Sequence, residues 1–175
     1  MKKVIVKVKL KNREDFEEKL NEIGVDFSPL YWQYDRIFAP KGYRRGLNLP
    51  RVIMRTEMKA IDKPARYFVI FRRHIEDSGA DVENKTVVKD YVEMTEMLQE
   101  LGLKKLAEVS KRRQEVKLKN GVMIYLDKVE GTSGYYAKLE IELSDDKKVS
   151  EAYDEAIKTL RDFGAENVVI KTYFE

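Results

Sequence analysis

The stretch KKVIVKVKLK, from Lys2 to Lys11, alternates with a period of two residues. Extended backbone sends successive side chains to opposite faces. Val4, Val6, Val8 and Leu10 then share one face, and Lys3, Ile5, Lys7, Lys9 and Lys11 share the other. A helix would scatter the same residues around its axis, so the pattern demands a strand with one apolar face. A sheet with one face in water accounts for the lysines, which there also discourage edge pairing. A concave surface holding a strongly anionic ligand accounts for them equally well.

Later strands repeat the arrangement. RVIMRTEMK sends Arg51, Ile53, Arg55 and Glu57 to one face, and YFVIFRRH groups Phe68, Ile70, Arg72 and His74. VSKRRQEVKL groups Lys111, Arg113, Glu115 and Lys117. If the strands close into a barrel, one such face points inward and forms a polar interior. Buried charge is costly, so that interior needs counter-charges or a bound polyanion. In LEIEL, Glu140 and Glu142 share a face, and Asp127 in YLDKVE lies next to a turn. Carboxylates near several Arg and Lys suit a divalent cation bridging to phosphate oxygens.

Helices are few. NREDFEEKLNEIG has Asn12 as a cap, acids in its first turn, a Phe16, Leu20, Ile23 stripe and Gly24 as its end. YVEMTEMLQELG puts Leu98 and Leu101 on its apolar side, and SDDKKVSEAYDEAIKTLRDFG opens at Ser144 and runs to Gly164. IEDSGADVEN reads as a polar loop before a short strand KTVVKD, and AENVVIKTYFE as a closing strand or tail. SPLYWQYDRIFAP is an aromatic-rich strand, KNG turns a hairpin, and GYYAKLEIEL is a further strand. About eight or nine strands and three helices make the expected fold α+β, with a mainly antiparallel sheet.

The 175 residues suit a single domain, 1–175. The 34 Lys and Arg nearly balance 31 Asp and Glu, so an anion site must come from local placement of charge. That balance, without an evident aromatic stacking motif, disfavours nucleic acid. The absence of Cys removes disulfides and thiolate chemistry. No signal peptide or membrane-length apolar run is visible, so a cytoplasmic location is expected. Tyr31, Tyr34, Tyr135 and Tyr136 are expected as packing or rim residues, Trp32 as core, and His74 as a surface residue.

Taken in order, these pieces resemble the CYTH family of triphosphate-tunnel proteins, which includes class IV adenylate cyclases and thiamine, inorganic and RNA triphosphatases. VKVKLKNREDFEEKLNEIGVDF is similar to that family's first strand and helix, and QYDRIF to its Q-x-D-x-Y-F strand, retaining Gln33, Asp35 and Phe38. RVIMR sits where the family has R-x-R, FVIFRR where it has T-x-K, and LGLKKLAEVSKRR where it has K-x-R. IYLDKVEG, LEIEL and IKTYFE are similar to its D-x-V-x-G, E-I-E and S-Y-x-E segments. The resemblance implies a closed antiparallel barrel of about eight strands with flanking helices.

It further implies that Lys7, Lys9, Arg55, Arg72, Lys111 and Arg113 hold the phosphates of a nucleoside or organic triphosphate, or of inorganic polyphosphate. Glu140, Glu142 and Asp127 would hold Mg2+ or Mn2+ for triphosphatase or cyclase chemistry, the alternative being a binder without turnover. The departures are specific. The two glutamates of the family's N-terminal E-x-E-x-K motif fall at Lys3 and Ile5, and Ile53 and Ile70 replace an arginine and a threonine. A longer loop before LEIEL would instead put Lys138 at the first acid position; Glu140 and Glu142 keep the motif intact. A site so altered should still attract phosphate while holding a metal less well.

Overall fold

The computed structural model describes residues 2–43, 49–74, 81–144 and 148–165. Its strands are β1 (Lys2–Leu10), β2 (Tyr31–Pro40), β3 (Arg51–Met58), β4 (Arg66–His74), β5 (Asp81–Val88), β6 (Leu103–Lys117), β7 (Met123–Val129) and β8 (Tyr135–Glu142). The helices are α1 (Arg13–Glu22), α2 (Tyr91–Glu100) and α3 (Val149–Asp162). The strands close into a barrel in the order β1-β5-β4-β3-β2-β6-β7-β8, and every pairing is antiparallel.

The apolar face of β1 points outward. Val4, Val6 and Val8 join Ile124 and Leu126 of β7 and Ala137, Leu139 and Ile141 of β8 in one buried cluster. Two helices cover it. Asn12 caps α1 by accepting from the backbone N–H of Glu14 and Asp15, and Phe16 and Leu20 are buried against the wall. On α3, Ala152, Ala156 and Leu160 recur every fourth residue, a stripe whose small members allow close approach to β1 and β8. Helix α2 buries Leu98 with Phe38 of β2 and Met54 of β3. The apolar core thus lies outside the barrel, between wall and helices. Inside, Ile53, Phe68 and Ile70 form one apolar cluster and Val109, Val129 and Tyr136 another, both packed on Ile37. Among the described residues, no helix is long and apolar enough to cross a membrane.

Several local expectations shift. The polar stretch before KTVVKD is already strand from Asp81, because Asp81 and Glu83 pair with β1 and β4. Helix α3 begins at Val149 with no side-chain cap, five residues after the expected Ser144 start. Ile23 and Leu101 fall at the C-terminal caps of α1 and α2 and are exposed. Trp32 is 47% exposed on the outer wall, where the Arg112 guanidinium lies 5.6 Å from its ring. His74 turns inward, with Nδ1 3.2 Å from Asp81 Oδ1. The closing segment from residue 166 onward, including the IKTYFE match, lies outside the described residues.

Candidate polyphosphate site

Strand parity and closure bring the basic residues together inside the barrel. Lys7, Arg55, Arg72, Lys111, Arg113 and Lys138 are buried there, yet so are Asp35, Glu57, Asp81, Glu83, Asp127 and Glu140. Among the described residues, six buried cations meet six buried carboxylates, most of the pairs formed between facing strands. Arg55 grips Asp35 through Nε at 2.6 Å and a terminal nitrogen at 2.8 Å, and Lys111 reaches the same carboxylate at 3.1 Å. Arg113 holds Asp127 with two bonds of 2.6 Å. Arg72 holds Glu83 at 2.6 Å, and Lys7 lies 3.7 Å from Asp81. Such paired geometry is what makes charge tolerable in a low-dielectric interior.

The protonation states follow. Burial alone would raise Asp35, but the Arg55 and Lys111 charges outweigh it and hold the carboxyl well below its usual range. Burial also opposes ionisation of Asp81, yet Lys7, His74, Arg72 and Arg51 pull it down. Desolvation dominates at two lysines. Lys111 is lowered to about 7 and Lys7 to about 8, each partly restored by its carboxylate and pushed down by neighbouring arginines.

One end of the barrel opens into a cavity of about 180 Å³. Its lining includes the cations Lys3, Arg55, Lys59, Arg66, Lys85 and Arg113 against the carboxylates Glu57, Glu115 and Glu140. Arg55 and Arg113 are neutralised by Asp35 and Asp127, so four cations are left facing three carboxylates. Lys85 bonds Glu57 at 3.0 Å and lies 3.7 Å from the centre of the Phe68 ring. Arg66 lies over the same ring at 5.2 Å, and it makes no ion pair among the described residues. Lys59 and the Tyr31 hydroxyl both donate to Glu115, at 2.6 and 2.9 Å.

Glu140 is the carboxylate that β8 contributes to this cavity. Lys138 donates to its Oε1, while Lys3 Nζ at 3.2 Å and the Tyr125 hydroxyl at 3.1 Å donate to Oε2. Burial would raise the Glu140 carboxyl, but Lys138 and Lys3 hold it well below its usual range. Lys3 also lies 3.6 Å from Glu142.

A family model for the CYTH domain matches residues 1–173. The chain belongs to the CYTH family. Among curated protein sequences, none matches it significantly. Its fold is similar to that of PH1819 from Pyrococcus horikoshii, at 21% identity over 98% of this chain and 95% of that one, with a TM-score of 0.79. A conserved protein of Pyrococcus furiosus is similar at 25% identity over 98% and 97% of the chains, with a TM-score of 0.73. The Hippeastrum protein HpAC1, reported to have a dominant triphosphatase activity, shares 12% identity over 99% and 92%, with a TM-score of 0.58.

The CYTH family's enzymes are in general metal-dependent, and the carboxylates among the described residues do not fit a divalent cation. Asp127 has both oxygens on Arg113, and Glu140 has both oxygens occupied by two ammonium groups and a hydroxyl. Glu142 is half-exposed at the strand end beside Lys3. A hard cation needs several free oxygens, and a lysine on those oxygens opposes it by charge. Among the described residues, no cluster of three Asp, Glu or His side chains is placed to hold a metal.

Of the residues expected to contact phosphate, Lys7, Arg55, Arg72, Lys111 and Arg113 point inward, and Arg55 and Arg113 reach the cavity. Lys9 has the same parity, but β1 reaches the barrel rim there; its ammonium is exposed and bonds the Ser133 hydroxyl at 3.2 Å. Sequence reasoning missed Arg66 and Lys85 on the cavity wall, and left Lys3 without a role beyond replacing an acid. The period-two run Asp81, Glu83, Lys85 was the available signal for Lys85.

Proposed function

We propose that this CYTH protein binds the polyphosphate group of a nucleoside or organic triphosphate, or inorganic polyphosphate, at the open end of the barrel, without turning it over. The observation that carries this reading is the cation-rich cavity wall: beyond Arg55 and Arg113, which are paired with Asp35 and Asp127, four cations face three carboxylates, with Arg66 unpaired among the described residues. A chain of phosphates offers the closely spaced negative oxygens that such a wall can bridge, and guanidinium groups suit them geometrically. Hydrolysis or cyclisation would need charge stabilisation by a cation fixed on carboxylates. The carboxylates here are engaged by lysine, arginine and tyrosine instead.

Calorimetric titration with orthophosphate, pyrophosphate, tripolyphosphate and ATP tests binding, with affinity expected to rise with phosphate number. Phosphate, pyrophosphate and cyclic-nucleotide release with Mg2+ or Mn2+ tests turnover, and none is expected. Absence of binding, or robust turnover abolished by Glu140→Gln, would overturn the proposal.

A further inference from the structure

On the reading that the cavity takes a polyphosphate, we propose that the Lys3 ammonium is the resident cation of the site and links the bound phosphates to Glu140 and Glu142. Binding is then independent of divalent metal. Lys3 lies on the cavity wall, its side chain 22% exposed, with Nζ 3.2 Å from Glu140 and 3.6 Å from Glu142. An ammonium has three donors. Glu140 accepts from one of them, and Glu142, 3.6 Å away, adds opposite charge without a hydrogen bond, which leaves donors for an oxygen in the cavity. The pair Glu140 and Glu142 therefore does for this lysine what carboxylates do for a metal ion: it fixes a positive charge at the wall.

Three further features support the assignment. Opposite charges raise Lys3 against the desolvation that would lower it, so it stays protonated across the neutral range. Tyr125 donates to the same Glu140 oxygen and keeps the carboxylate in place. Lys138 takes the other oxygen, so Glu140 does not need a metal to be neutralised. The next inward position on β1 is Ile5, which offers no second donor or acceptor, so Lys3 is the β1 cation on the cavity wall.

The test is tripolyphosphate titration of the full chain, in chelator and in Mg2+, for the wild type and for Lys3→Met and Lys3→Arg. Melting temperatures of the variants establish folding. Wild-type affinity is expected to be unchanged by chelator and to fall when Mg2+ is added, because the ion neutralises the free ligand before the protein meets it. Lys3→Met is expected to bind about tenfold to a hundredfold more weakly, the loss of one charge-assisted contact. Lys3→Arg keeps the charge and is expected to bind close to the wild type. Wild-type binding that requires Mg2+ would overturn this assignment while leaving the polyphosphate reading standing, as would Lys3→Met binding like the wild type. Failure to bind under both conditions would remove the polyphosphate reading and this assignment with it.

Discussion

The two faces of β1 belong to different kinds of protein interior. Outward, Val4, Val6 and Val8 enter an apolar core closed by α1 and α3. Inward, Lys3 and Lys7 meet Glu140 and Asp81 across strand pairings. The outer layer gains free energy from removing apolar surface from water, and it needs only shape and volume. The inner layer gains little net stability, because desolvation offsets most of the attraction between its charges. A second contrast lies within the barrel: the described deep charges are closely paired, while the open end holds Arg66, which has no ion pair among the described residues.

Breaking one deep pair should have the largest effect. Asp127→Asn leaves the Arg113 charge buried without its carboxylate and is expected to cost about 3–5 kcal/mol in urea unfolding. Replacing both partners, Arg113→Met with Asp127→Leu, should recover most of that loss. If the single change costs nothing, the inner layer is wetter than described. In the outer layer, Leu20→Ala should cost about 2–5 kcal/mol, with no rescue from added phosphate beyond the general effect of ligand binding.

Acidity separates the layers next. Asp35, Asp81 and Glu140 have depressed folded-state pKa values, so their stabilisation is present above the unfolded carboxyl range near 4 and is lost as pH falls through the folded values. At the alkaline side the slope keeps the same sign but has a different origin. Lys111, at about 7, and Lys7, at about 8, bind protons less readily folded than unfolded. Stability should therefore rise from about pH 7 toward the unfolded lysine value near 10.4. Lys111→Met should remove part of that rise, as measured by urea midpoints across pH; an unchanged slope would show that Lys111 titrates normally. The smallest effect belongs to the rim. Lys59→Ala, which removes a half-exposed ion pair with Glu115, should change stability by less than about 1 kcal/mol.

Alternation is local, so parity grouped Lys7, Arg55, Arg72, Lys111 and Arg113 by strand face; that this face lines a closed barrel was what the family resemblance implied. Their partners were not legible. Lys111 and Asp35 are 76 residues apart in sequence, and only the β2–β6 register brings them together. Asp81 and Glu83 lay in a stretch rich in turn formers, where composition outweighed the alternation that their strand obeys. Lys138 was visible only as a competing register, yet it is buried beside Glu140 and changes what that carboxylate can do. Lys9 shows the limit of parity itself, which gives a face and not a depth along the barrel.

On the proposed function, cations at the open end bind a phosphate chain that the protein does not cleave. Phosphorus NMR of tripolyphosphate mixed with the protein, first in chelator and then with excess Mg2+, tests both halves together. Both the terminal and central resonances should broaden in chelator, and their integrals should stay constant for hours after Mg2+ is added. Unperturbed resonances in chelator, or a growing orthophosphate signal with Mg2+, would contradict the account.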